Sequence, residues 1–558
     1  MESTAAQSPY ELLLQAASII PISHYLLGFF SILIVFLYNF LEIHILRDLF
    51  SGLRGQPVVL TFDPCSQLYR DVVSKCKTLH GRYLSTPWLS SPHLQTAFLY
   101  YFGNSPVVNY RRQIFMTSDG GTLALDWVKN ANAKKQDYHV NDAVQQDDKN
   151  PLIIVVPGLT SDSNSPYINH LAFNMAKHGW NVVVSNHRGL GGVPITSDNF
   201  YNGGWTEDVR KVIDHLHRQY PEAPLFVVGT SIGANILVKY LGEDGVKAPI
   251  IGAAAICSPW DLLICDRFMN RRLVQRLYNK ALTIGLKDYA QSHAAVLSRL
   301  SNWEGVKKAR SVRDFDDCAT RVVGNYETVD TYYRRCSASN FIGGVTVPLL
   351  CISSLDDPVC TSEAIPWDEC RLNTNVVLAT TQHGGHLPFF EGIAAKSVWW
   401  VRAVDEFFVA LQSSPLRKKE KEVVFISSAN PLESSIDQAP YVHVSEDGMV
   451  SAVNNELAAQ QEEENVHQSK TNDEELDQEN KNTNMILNQP QATARPLEND
   501  LVAPVKKCLN QLSRQNRNSL WLLAYIAIIT TWPVVGSALK FFFRKKLKNF
   551  SSRTSVKS

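Results

Sequence analysis

Leu225-Phe226-Val227-Val228-Gly229-Thr230-Ser231-Ile232-Gly233 is the stretch whose reading decides the fold. A short apolar run breaks into glycine and then into a helix-like segment, giving the G-x-S-x-G pattern of a nucleophile elbow. The turn from strand to helix is so tight that side chains two positions either side of the serine would clash, so glycine takes both places. The strain lifts the Ser231 hydroxyl clear of the sheet. The helix that follows aims its positive end at the same spot, and the Ile232 N–H is available to hold an oxyanion. The pattern alone recurs by chance in long chains; the strand before it and the helix after it identify it.

Working outward, residues 151–156 form a continuous apolar run ending in Pro157-Gly158-Leu159-Thr160, as a buried parallel strand does where it enters a loop. Residues 167–178 read as a helix, 180–185 as a second buried strand ending at Asn186-His187-Arg188-Gly189, and 205–219 as the next helix. Strand alternates with helix, which argues for a mostly parallel sheet covered on both faces, with ligands at the carboxyl ends of the strands. Residues 250–256 add a strand. The next, 347–353, follows only after a gap too long for a simple connection, so residues 258–346 are expected to be a mostly helical cap that shields the site from water.

The strand at 347–353 runs into Leu355-Asp356-Asp357-Pro358, and a strand at 375–380 runs into His383-Gly384-Gly385-His386. An acid before proline is usually a turn former, and a histidine among glycines is usually a loop residue. Serine, acid and histidine in that order, each at a strand end, point instead to nucleophilic catalysis. Upstream, residues 112–116 and 122–128 alternate around Asp119-Gly120-Gly121 as a β-hairpin. The proline-bounded segment 87–96 packs on something, and its His93 reads as structural rather than catalytic.

The 558-residue chain balances 54 basic against 54 acidic residues, so nothing suggests nucleic acid as a partner. Its ten cysteines show no C-x-x-C. Cys351, Cys360 and Cys370 lack paired-ligand spacing and are expected to be buried or free thiols; neither metal nor cofactor is implied.

Residues 12–41 hold no Asp, Glu, Lys or Arg, and 25–41 approach the hydrocarbon thickness of a bilayer. Residues 12–46 are expected to be an uncleaved membrane anchor, with a buried core helix as the alternative. Arg47 and Arg54 follow this span, which places the next domain in the cytosol by the positive-inside rule. Residues 416–505 are polar, with too few apolar residues for a core, and are expected to be a disordered linker. Residues 520–539 form a second apolar segment ahead of a basic tail, 540–558. Two full spans would put both ends on one side, and the basic tail conflicts with that, so the topology stays open. No Asn before Asn549 begins an N-x-Ser/Thr acceptor, which favours a cytosolic core.

Residues 87–96, Pro157-Gly158-Leu159-Thr160, His187-Arg188-Gly189, Gly229 to Gly233, Leu355-Asp356-Asp357-Pro358 and His383-Gly384-Gly385-His386 together resemble the membrane-anchored α/β-hydrolases typified by the human alpha/beta hydrolase domain proteins one to three. The phrasing is nearest to the plant embryogenesis-associated members. The resemblance spans residues 79–411 and implies an α/β-hydrolase fold. It also implies a single-pass membrane protein of an endomembrane such as the endoplasmic reticulum, with monoacylglycerol lipase, phospholipase or carboxylesterase activity. It assigns the nucleophile to Ser231, the acid to Asp357 rather than Asp356, and the base to His386 rather than His383. One departure is Pro157-Gly158 where many α/β-hydrolases carry His-Gly; a hole built from backbone N–H groups tolerates that change. No H-x-x-x-x-D acyltransferase pattern occurs.

The expected protein is therefore a membrane-tethered serine hydrolase whose partners are an acyl lipid substrate and the lipid bilayer; no protein partner is indicated. The N–H groups of Ile232 and Leu159, with Thr160 as a third candidate, are expected to hold the oxyanion. An acyltransferase using the same serine with an alcohol acceptor, and a catalytically silent scaffold, are the alternatives.

Overall fold

The computed structural model describes residue 18 and residues 20–39, 54–129, 149–418, 441–444 and 450–453. Two compact units are present, one of residues 35–437 and one of residues 1–34 with 438–558. In the first, one sheet holds β1 (Val59–Phe62), β2 (Arg111–Met116), β3 (Thr122–Val128), β4 (Leu152–Val156), β5 (Asn181–Asn186), β6 (Leu225–Thr230), β7 (Gly252–Ile256), β8 (Leu349–Ser354) and β9 (Val376–Thr381). The spatial order is β1-β9-β8-β7-β6-β4-β5-β3-β2. Strands β4 to β9 are parallel, while β1 on one flank and the β2–β3 hairpin on the other join antiparallel. This is the α/β-hydrolase arrangement.

The apolar runs become central strands because both faces of each are covered. Ile153, Val155, Val182, Val184, Phe226 and Val228 face one core, which the helices Pro166–Lys177 and Trp399–Gln412 close. Ile154, Val156, Val183 and Val227 face the other, under Glu207–Gln219 and Ile232–Asp244. Each such fully buried side chain contributes roughly 1.5–3 kcal/mol.

The elbow shows why its glycines are needed. A Cβ on Gly233 would lie 2.3 Å from the carbonyl oxygens of Pro157 and Val156, and one on Gly229 would lie 2.6 Å from that of Gly233. Neither neighbour is a flexible side chain, so helix Ile232–Asp244 would have to lift off β4.

Between β7 and β8 the cap is helical, with Leu262–Met269, Leu273–Ser292 and Val329–Cys336 joined by shorter turns. One of these, Asp316–Thr320, is a π-helical turn.

The sheet begins ahead of residue 79, because β1 pairs with β9 in the register Phe62 to Val377. The helix Ile22–Asn39 covers about half of the expected anchor, residues 12–46. Its 18 residues span about 27 Å at 1.5 Å per residue, against roughly 30 Å of hydrocarbon. Among the described residues no helix is long and apolar enough to cross a membrane. Of the expected linker, residues 416–418 are described together with a two-stranded antiparallel pairing of Tyr441–Val444 with Val450–Val453. The segment 520–539 and the tail 540–558 lie outside the described residues.

Candidate active site

Strand β6 delivers Ser231 at φ +53° and ψ −123°, a backbone region that a residue with a Cβ rarely occupies. Its N–H is held by the Ile256 carbonyl at 2.8 Å, and the helix starting at Ile232 leaves from beneath it. Ser231 Oγ lies 3.0 Å from His386 Nε2. On the far side of the ring, His386 Nδ1–H donates to Asp357 Oδ2 at 2.9 Å. That bond fixes the tautomer and leaves Nε2 as the acceptor for the serine proton.

Asp357 is held just as firmly. Its side chain is 1% exposed, and its other oxygen accepts from the N–H groups of Val359 and Cys360, each at 2.8 Å. Asp356 and His383 do not join this chain. Asp356 accepts from His383 Nδ1 at 3.0 Å and from the Gly385 N–H at 3.1 Å, bracing the loop from its outer side. The loop is bent hard: Gly385, Leu387 and Phe389 all have positive φ.

What holds the bend is the segment at 87–96. Thr96 Oγ1 accepts from the His386 N–H at 3.1 Å and donates to the Pro92 carbonyl at 2.8 Å. Gln95 Oε1, fully buried, accepts from the Phe390 N–H at 3.1 Å. The cluster of prolines in this segment signals packing, but only the fold shows that its target is the histidine loop. His93 lies in the helix Pro92–Tyr101 and meets Tyr278, not the serine.

Opposite Ser231, the loop after β4 offers three successive N–H groups, and two of them are occupied. Gly158 N–H donates to Tyr167 Oη and Thr160 N–H to Tyr201 Oη, each at 3.0 Å. Among the described residues this leaves the Leu159 N–H without a protein acceptor. The Ile232 N–H, at the first position of its helix, is the other donor on this side. His187 explains itself here: Nε2–H donates to the Pro157 carbonyl at 2.9 Å, and the ring stacks on Tyr201 with centroids 4.3 Å apart. Burial lowers its pKa, against the Pro157 carbonyl, which favours the charged ring. Arg188 beside it is sunk between Asp208 and Asp119 and ties β5 to the hairpin turn.

One residue that sequence reasoning missed is Cys257, at φ +50° after β7. Its sulfur, His386 and Asp357 present ligand atoms within 4.8 Å of one another. Burial, and then the Asp357 carboxylate, push the Cys257 thiol well above its ordinary pKa, so it remains protonated. Cys351, Cys360 and Cys370 are buried free thiols.

A cavity runs from Ser231 and His386 into the cap, walled by apolar side chains such as Leu159, Met269, Leu286 and Phe315. Polar groups break that wall at Asn202, Asp266 and Thr320 and at Asp316, which lies on the π-helical turn. Asp316 accepts from Thr320 Oγ1 at 2.6 Å and from Tyr333 Oη at 2.8 Å, and burial raises its pKa to about 6. A carboxyl whose folded pKa exceeds its unfolded value of 3.8 costs nothing while both states are protonated, below about pH 4. The cost grows as pH rises and is complete above about pH 6, at about 3 kcal/mol. Asp316→Asn should therefore raise Tm at pH 7.5 and lose that advantage at pH 4; thermal melts at the two pH values test it, and an equal shift at both would contradict it.

The sequence profile of the Hydrolase_4 family, described as serine aminopeptidase, S33, matches residues 147–392. Embryogenesis-associated protein EMB8 of Picea glauca is 35% identical over 64% of this chain and 78% of its own length. Phospholipase ABHD3 of Bos taurus is 34% identical over 60% of this chain and 79% of its own. A monoacylglycerol lipase of Saccharomyces cerevisiae is 28% identical over 57% and 78%. With the fold and these relatives together, the chain belongs to the α/β-hydrolase family of lipases and esterases that includes EMB8 and ABHD3.

Proposed function

We propose that this protein is a membrane-tethered serine hydrolase that cleaves acyl esters of lipids. The observation that carries the reading is the unbroken chain from Ser231 through His386 to Asp357 beneath an apolar cavity. His386 takes the serine proton as Oγ attacks the acyl carbon and returns it to the leaving alcohol, while Asp357 stabilises the imidazolium between these events. The N–H groups of Leu159 and Ile232 receive the oxyanion, and each is worth roughly 10²- to 10³-fold in rate. The tether is the uncharged segment at the amino end, whose helix exposes Phe29, Ile32 and Ile34.

An apolar cavity rewards chain length, at about 0.8 kcal/mol for each methylene it buries. A long-chain monoacylglycerol or phospholipid should therefore be turned over with a higher kcat/KM than a short soluble ester of the same alcohol. The test is a series of acyl lengths assayed with the full chain. A preference for the shortest member would replace the lipid reading with a general esterase.

A further inference from the structure

We propose that the cap helix Leu273–Ser292 and the outer face of the helix Pro92–Tyr101 form one docking surface for an anionic lipid–water interface, placed so that lipid leaves the bilayer next to the Ser231 site. This rests on the lipid-esterase reading above and adds to it the face that meets the membrane.

The cap helix exposes Leu273, Leu277 and Ile284 at 44%, 54% and 52%. With the exposed Ala281 they fall at i, i+4, i+8 and i+11, a single stripe along the helix. Arg272, Arg276 and Lys280 are exposed beside it, and the one acid of the helix, the exposed Asp288, comes only after Ile284, beyond the stripe's end. An apolar stripe flanked by cations of one sign is the pattern of a helix lying in a lipid interface, whereas a helix facing only water carries charges of both signs.

The second helix carries no charge at all, yet Tyr100, Tyr101 and the following Phe102 are 81%, 76% and 75% exposed. They continue into a row of rings, with Phe102 stacked on Phe98 at 5.3 Å and Phe98 against Trp88 at 5.1 Å. Tyr and Trp, apolar with one wet end, are the side chains a bilayer interface takes best.

The two surfaces meet where His93 and Tyr278 touch, Nδ1 to Oη at 3.2 Å. Beside that contact opens a polar cleft of mixed charge, lined by His93, Arg272 and Gln275, by Arg271 paired with Glu363, and by Asp356 and Asp357. A headgroup at this seam would sit beside the acid of the Ser231 chain.

The test uses the full chain reconstituted in vesicles with and without anionic lipid. Leu277→Asp with Ile284→Asp, and separately Tyr101→Ser with Phe102→Ser, should each lower turnover of a vesicle-borne ester at least about tenfold. Turnover of a short soluble ester should stay at the wild-type rate. Arg276→Gln with Lys280→Gln should remove only the extra rate seen on anionic vesicles. Unchanged vesicle rates, or parallel losses on both substrates, overturn the proposal. So does a variant that converts a dimer to a monomer with its vesicle rate intact, which would assign the face to a second copy. A phospholipid with a photoactivatable acyl chain should crosslink to residues 94–102 and 273–284, and absence of those adducts also overturns the proposal. Crosslinking needs no turnover, so a chain that crosslinks yet hydrolyses no ester sinks the esterase reading alone.

Discussion

Ser231→Ala is expected to abolish labelling by fluorophosphonate probes and to lower ester turnover by roughly 10³-fold or more. Such probes react at neutral pH only with a serine whose proton has somewhere to go, and His386 Nε2 at 3.0 Å is that place. The residual rate would come from the Leu159 and Ile232 donors and from substrate binding, which the substitution leaves in position. Because serine and histidine act as one unit, adding His386→Ala to Ser231→Ala should cost little more. The alanine should also fold, since the Ile256 carbonyl that holds the Ser231 N–H and the glycines that allow the tight turn are left in place. Labelling at another residue, or full turnover by Ser231→Ala, would end the mechanism; silence of the wild-type protein toward both probe and esters would favour the scaffold alternative.

Much of this site was legible because the fold writes its chemistry at strand ends. Strands β4 to β9 are each built on an apolar run and are buried along their whole length, and such runs stop where the sheet stops. Ser231, Asp357 and His386 follow three of them, so their order along the chain fixes their meeting place without any knowledge of the strand order. Where a residue's role depends on a partner far along the chain, the sequence is silent. Strand β1 is four residues long, pairs with residues more than 300 positions away, and carries no pattern that distinguishes it from a loop. The same holds for Thr96, whose hydroxyl receives the His386 N–H, and for Tyr201, whose hydroxyl takes the Thr160 N–H. Local periodicity reports what a segment buries, not which distant hydroxyl it will find.

Strain around the site follows one rule. Thr160, Ser231, Cys257, Leu387 and Phe389 all have positive φ, and each lies in a loop at the carboxyl end of the sheet. Conformations that cost of order 1–3 kcal/mol each persist only where packing over-determines them. Here the supports are visible: Tyr201 for the Thr160 turn, Ile256 for Ser231, and Gln95 with Thr96 for the histidine loop. The core provides the surplus that keeps these groups aimed at one point before substrate arrives.

The same reasoning separates two adjacent acids. Asp357→Asn should lower turnover by about 10⁴-fold, as loss of the orienting carboxylate does in a serine–histidine–acid site, whereas Asp356→Asn should cost far less. At Asp357 every lone-pair direction in use faces a donor: His386 Nδ1–H on one oxygen, and the N–H groups of Val359 and Cys360 on the other. An amide must turn its NH₂ toward one set or the other. Turned to the backbone it meets two N–H groups. Turned to the ring it forces Nδ1 to accept, which moves the imidazole proton to Nε2 and aims it at Ser231, so the base is lost with the geometry intact. Asp356, 16% exposed, holds His383 and the Gly385 N–H, and an asparagine oxygen there can still accept from one while water serves the other. The measurements are kcat on a soluble ester and the rate of fluorophosphonate labelling, with melting curves to show that both variants fold. Equal losses, or a larger loss at Asp356, would remove Asp357 from its role.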